Sequence, residues 1–200
     1  MTLRRLCVFC GSSTGRDPAF VSAARELGEL LAEHGIGLVY GGTSIGLMSV
    51  IADAALLAGG EVIGVIPQAL IDREIAHTGL DDLQIVDSMH ARKARMGKLS
   101  DGFVALPGGL GTLEEAAEVL TWAQLRIHTK PCGFLNVVGF FNPLLAMFDH
   151  AVEAGFLSTE HRSMILVEDS PRALLERFNT YVAPADKWGR TDVGTREIPP

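Results

Sequence analysis

The chain has 200 residues, 48% of them hydrophobic and 20% charged, which suits one globular domain with a sizeable core and excludes a wholly disordered polymer. Seventeen Lys and Arg stand against 24 Asp and Glu, a net charge of −7 that repels a polyanion and argues against nucleic acid as a partner. Three cysteines are too few for a disulfide framework, and no apolar run approaches the roughly 18 residues of a membrane span, so a cytoplasmic chain with no membrane partner is expected.

In chain order, Arg4-Arg5 is followed by only the short apolar run Leu6 to Cys10, less than a signal segment needs and well suited to a strand. Cys7 and Cys10 have CxxC spacing within it, but residues three apart in a strand face opposite sides, so neither a redox centre nor a zinc site is expected. Pro18 to His34 carries Phe20, Ala23, Ala24, Leu27, Leu30 and Leu31 at helical spacing. A strand at Ile36 to Tyr40, a helix at Ile45 to Ala58 and a strand at Val62 to Ile66 follow. Pro67 to Val86 has mixed polarity and reads as a long connection, of the kind that is usually functional or mobile. Beyond it come a helix at Ser88 to Leu99, a strand at Phe103 to Leu106, a helix at Thr112 to Arg126, a strand at Cys132 to Val138, a helix at Pro143 to Ala154, a strand at Ile165 to Val167 and a helix at Pro171 to Tyr181. Residues 1–182 are expected to form a single α/β domain. From 183 to 200 the periodic apolar residues stop and Pro and Gly collect, which predicts a disordered tail.

Strand and helix in alternation predict a Rossmann-like, doubly wound parallel sheet of three layers, with helices on both faces and every strand-to-helix loop opening at one edge. Three of those loops are rich in glycine: Gly11-Ser12-Ser13, Gly41-Gly42-Thr43-Ser44-Ile45-Gly46 and Pro107-Gly108-Gly109-Leu110-Gly111-Thr112. Glycine before a helix lets backbone approach a ligand, and the helix start offers unpaired amides to an anion. One such loop often serves packing alone; three at one edge describe an anion site. Gly41 and Gly46 have P-loop spacing, but Leu47 and Met48 replace the lysine and hydroxyl residue that ATP chemistry requires. Glu114 in the third loop would oppose a dinucleotide pyrophosphate. A smaller phosphorylated ligand remains, its phosphate held by amides and by hydroxyls of Ser12, Ser13, Thr43, Ser44 or Thr112.

In the segment Met89 to Met96, helical spacing puts Met89, Arg92, Lys93 and Met96 on one side, so Arg92 sits in an apolar stripe and needs a ligand phosphate or a carboxylate as partner. Thr112-Leu113-Glu114-Glu115 matches a capping box. At the start of a helix Glu115 would be kept ionised by the dipole, suited to stabilising a developing cation or orienting water. Glu114 lies about 100° round the helix, so one acid is expected to work. The six histidines lack metal-ligand spacing, and no lysine lies at a glycine loop to anchor pyridoxal phosphate, so neither metal nor cofactor is expected.

Pro107-Gly108-Gly109-Leu110-Gly111-Thr112-Leu113-Glu114-Glu115, Ser88-Met89-His90-Ala91-Arg92-Lys93-Ala94-Arg95-Met96, Gly41-Gly42 and Gly46-Leu47-Met48 together resemble the Lonely Guy (LOG) family, often labelled lysine decarboxylase-like. The similarity runs from about Leu6 to Tyr181. It implies hydrolysis of the N-glycosidic bond of an adenosine 5′-monophosphate, especially one prenylated on its exocyclic amine, to base and ribose 5-phosphate, by a homodimer without cofactor. It also implies that Arg92 and Glu115 are the catalytic pair and that Gly108, Gly109, Leu110, Gly111 and Thr112 cradle the phosphate. Glu74, Lys93 and Thr121 are further substrate contacts on this likeness, and Ser12 and Gly42 are expected contacts from the first and second glycine loops. Thr43 and Ser49 stand where relatives have glycine, and Leu110 where many have tyrosine. Trp122, Leu125 and Ile127 are candidates for core or interface. A non-catalytic carrier or sensor of a phosphorylated nucleotide or cofactor is the alternative reading, and a decarboxylase the third.

Overall fold

In a computed structural model of the chain, residues 3–71, 76–80 and 82–184 are described. The elements run β1 (Arg5–Phe9), α1 (Pro18–Glu33), β2 (Gly37–Tyr40), α2 (Gly46–Leu57), β3 (Val62–Pro67), α3 (Gln68–Ile71), β4 (Asp82–Val86), α4 (Met89–Leu99), β5 (Gly102–Ala105), α5 (Leu110–Gln124), β6 (Cys132–Leu135), α6 (Asn142–Glu153), α7 (Thr159–Ser163), β7 (Ile165–Glu168) and α8 (Pro171–Asn179). The strands form one seven-stranded sheet in the order β4-β3-β2-β1-β5-β6-β7, and every pairing is parallel. This is the doubly wound, Rossmann-like α/β fold expected from the alternation.

Strands covered on both faces are selected to be apolar throughout rather than alternating. β2, β3, β5 and β6 are accordingly buried at every residue. One core layer joins Leu6, Val8 and Leu38 to α1, α2 and α8, and the other joins Phe9, Val65 and Phe103 to α4 and α5. The helix starts are written locally. Asp17 accepts from the Ala19 amide at 2.9 Å with Pro18 next in line, and Ser88 and Ser170 cap α4 and α8 in the same way, each cap contributing about 1 kcal/mol.

From β1 the chain winds outward in one direction to β4 and then crosses back to β5, beside β1 on its other side. Such a reversal opens a crevice at the carboxyl ends of the two central strands. The register Phe9↔Ala105 brings their exits level.

Several elements differ from expectation. The Pro67 to Val86 connection contains α3 and an edge strand, β4. As an edge strand of only partly covered residues, Asp-Leu-Gln-Ile-Val has no continuous apolar run to reveal it. α7 is a single capped turn, too short for periodicity to show. β6 stops at Leu135, because Asn136 turns the chain: its Oδ1 accepts from the Phe141 amide and its Nδ2 donates to Asn142 Oδ1, both at 2.8 Å. Residues 185–200, the greater part of the expected tail, lie outside the described residues.

Gly46 is left-handed at φ +61°, and a Cβ there would collide with the backbone carbonyl carbon of Ser12; Gly59 is also left-handed at φ +78° but faces open space. Gly59→Ala should therefore cost about 1 kcal/mol, the left-handed penalty alone. Gly46→Ala should cost about 3 kcal/mol or more, because backbone must also move. Urea denaturation of the two variants checks this, and equal losses would contradict the contact between loops.

Candidate active site

At the carboxyl edge of the sheet the three glycine loops meet. The Gly11 amide donates to the Pro107 carbonyl, and the Gly11 carbonyl accepts from the Leu47 amide, both at 3.0 Å. Gly11 thus ties the first loop to the third and to the second. Beside this junction lies a cleft of about 290 Å³, bounded by residues 11–15, Pro107 to Gly109, Leu47, Phe20 and Phe140.

Ser12, Gly108 and Gly109 line the cleft. Thr112 is buried with its hydroxyl in the space that a Cβ at Gly108 would fill, while Leu110 and Gly111 are exposed at the start of α5. Gly42 is buried under β3 and accepts from the His77 amide at 2.9 Å, so it shapes the second loop from below. The Thr43 hydroxyl is buried and donates to Met48 Sδ at 3.2 Å, turned into its own loop. Thr121 is exposed near the far end of α5, its hydroxyl donating to the Ala117 carbonyl at 2.8 Å. Glu74 lies outside the described residues.

The capping box is not formed. α5 begins at Leu110 with Gly109 as its cap, and no side chain closes the first turn. Thr112 is therefore inside the helix and Glu115 lies beyond its first turn, where the dipole has faded. Glu115 meets Arg92 instead. The Arg92 Nε donates to the Val65 carbonyl at 3.0 Å and its Nη1 to Glu115 Oε1 at 3.2 Å. Its Nη2 occupies the space that a Cβ at Gly41 would fill, so glycine there is a condition for the pair. Of the two partners left open for Arg92, the structure shows the carboxylate.

These side chains are only 9% and 11% exposed. Taking two charges out of water costs several kcal/mol each, which their mutual attraction and the Val65 bond offset in part. Burial pushes the Glu115 carboxyl above the ordinary 4.5, and Arg92 pulls it back toward ionisation. Because the folded value is raised, the group favours folding most when protonated. That contribution is complete below 4.5 and lost as pH rises through the raised value, so ionising Glu115 lowers stability.

Lys93 bridges to Glu114 at 2.6 Å and Glu118 at 3.1 Å. Desolvation works against its charge, but the hydrogen bonds and the charges of Glu114 and Glu118 together raise its pKa above the ordinary 10.5. Glu114 is thereby held away from Arg92. Two cleft residues, Phe20 and Phe140, carry no local signal of a site in the sequence. The same holds for Val65, which contributes only its carbonyl.

Carbon-detected NMR titration should place the Glu115 midpoint above 4.5 and move it higher still in Arg92→Gln. A midpoint at or below 4.5 would mean that the dipole or the pair, and not burial, dominates.

Residues 48–178 match a family model described as "Possible lysine decarboxylase". The chain is 50% identical over 184 residues to a cytokinin riboside 5′-monophosphate phosphoribohydrolase of Arabidopsis thaliana, covering 92% of this chain and 86% of that protein. It is 45% identical over 201 residues to a probable enzyme of the same name from Oryza sativa subsp. japonica, covering 98% and 90%. Among solved structures, the molybdenum cofactor carrier protein of Chlamydomonas reinhardtii superposes with a TM-score of 0.68 at 24% identity, over 90% of this chain and all (100%) of that one, a likeness of fold. On the family model and on identity along nearly the whole chain, this protein belongs to the LOG family of cytokinin riboside 5′-monophosphate phosphoribohydrolases.

Proposed function

We propose that this protein hydrolyses the N-glycosidic bond of a prenylated adenosine 5′-monophosphate, releasing the free cytokinin base and ribose 5-phosphate. The observation that carries the proposal is the buried Arg92–Glu115 pair, set on the two helices that flank the meeting point of the glycine loops. Loop amides and the Ser12 hydroxyl hold the 5′-phosphate, with the open first turn of α5 adding unpaired donors. As the bond from C1′ to the base nitrogen lengthens, its electron pair leaves with the base and positive charge grows on the sugar. The Glu115 carboxylate stabilises that charge and orients the water whose oxygen joins C1′; the water's proton ends on the departing base. Arg92 keeps Glu115 ionised and aimed. Gly42, Lys93, Thr121 and Glu74 enter as further substrate contacts on the family likeness, Lys93 by exchanging one of its two carboxylate partners.

We also propose that the protein is a cytoplasmic homodimer. Large apolar side chains stand exposed at Leu110, Met147 and Phe156, and all three free thiols are buried, in keeping with a reducing compartment.

Purified protein incubated with AMP and with prenylated AMP should release base. Glu115→Ala and Arg92→Ala should each lower kcat by about 100-fold or more, as loss of one transition-state electrostatic partner does. With Glu115 acting as the anion, kcat should fall on acidification along a limb centred above 4.5. Light scattering on the same sample should give twice the 21.4 kDa chain mass. Calorimetric binding of AMP with no release of base would favour the carrier reading instead.

A further inference from the structure

We propose that Phe20 and Phe140 set the reach of the phosphate site: they close the cleft with a fixed aromatic wall that admits one terminal phosphate and turns away a phosphate chain. The inference rests on the proposed placement of the nucleotide's phosphate at the glycine loops, and adds the residues that select monophosphates over di- and triphosphates.

The polar part of the cleft consists of backbone and the small hydroxyl residues Ser12, Ser13 and Thr14, and among the described residues no lysine or arginine lines it. Arg16, next along the loop, is exposed and is not among the lining residues. Loop amides and hydroxyls suffice for one phosphate. Each further phosphate adds negative charge that must be neutralised, and a charge moved against apolar surface without a partner is strongly disfavoured. The same cleft is lined by the rings of Phe20 and Phe140, apolar surface that offers a further phosphate no partner.

The wall is built to stay in place. Phe140 meets Phe20 edge to face at 5.7 Å and 80°, and is backed by the buried Phe141 at 5.0 Å and 89°. The turn that delivers Phe140 is strained: Val138, a β-branched residue, is held left-handed at φ +44°. Such a conformation persists only where its surroundings enforce it. Here the Asn136 side chain does so, accepting from the Phe141 amide at 2.8 Å. On the opposite side Gly15, at φ +74°, leaves room for the Phe20 ring, which a Cβ at that position would approach to 2.5 Å. A rotamer change that cleared the wall would break contacts on both sides.

The test is calorimetric titration of AMP and of ADP, without metal, into the wild-type protein and into Phe140→Lys, Phe20→Lys and Phe140→Leu. Wild type should bind ADP about tenfold or more weakly than AMP, the lysine variants should narrow that ratio about fivefold or more, and Phe140→Leu, which keeps the wall apolar, should preserve it. Equal affinity for ADP and AMP in the wild type would overturn the proposal without any variant. So would an unchanged ratio in both lysine variants. Release of base from AMP is scored separately on the wild-type protein, so a failure of the hydrolytic reading leaves the binding ratios to judge the wall alone.

Discussion

Backbone touching backbone at the end of β1 is the constraint on which the site depends. Gly11 donates to the loop after β5 and accepts from the start of α2, and Gly46 presses on Ser12 with no room for a side chain between. A parallel sheet brings all its strand exits to one edge, but it does not bring loops into contact. Here the level register of β1 and β5 and the missing side chains do so together. The loops are therefore held in one fixed relation, so the proposed phosphate site would need little ordering on binding.

The buried ion pair depends on the same junction. α4 arrives from the far edge of the sheet and α5 leaves from its middle, and Arg92 and Glu115 meet only because both helices cover one face. Gly41, in the second loop, makes room for the guanidinium. Buried ion pairs are poor stabilisers, since desolvation consumes most of the attraction. Burial raises the Glu115 pKa, so this carboxyl's contribution to folding falls as pH rises through that value. A charged pair retained on such terms, beside three glycine loops, fits the proposed role of stabilising a transient cation.

What could be read along the chain was what local pattern encodes. Strands buried on both faces announce themselves as apolar runs, and helix starts at Asp17, Ser88 and Ser170 carry their caps in the sequence. β4 was hidden because an edge strand keeps polar residues on a half-covered surface. The Thr112–Glu115 spacing misled for a different reason: a capping-box pattern costs nothing inside a helix, and here Gly109 starts the helix three residues earlier. The candidate residues Arg92 and Glu115 were legible, one as a cation in an apolar stripe and the other as an acid near a glycine loop. Their pairing was not, since it joins residues 23 apart in sequence. Phe20 and Phe140 come together from more distant parts of the chain still.

A crystal structure of the Glu115→Gln protein with AMP bound tests the central claim most directly. The account predicts the phosphate on the amides of the Gly11 and Gly108 loops, and the C1′ to base bond within about 4 Å of the residue 115 side chain, near-attack geometry for a water held between them. A nucleotide whose phosphate lies away from those loops, or whose C1′ faces solvent with residue 115 out of reach, would contradict it.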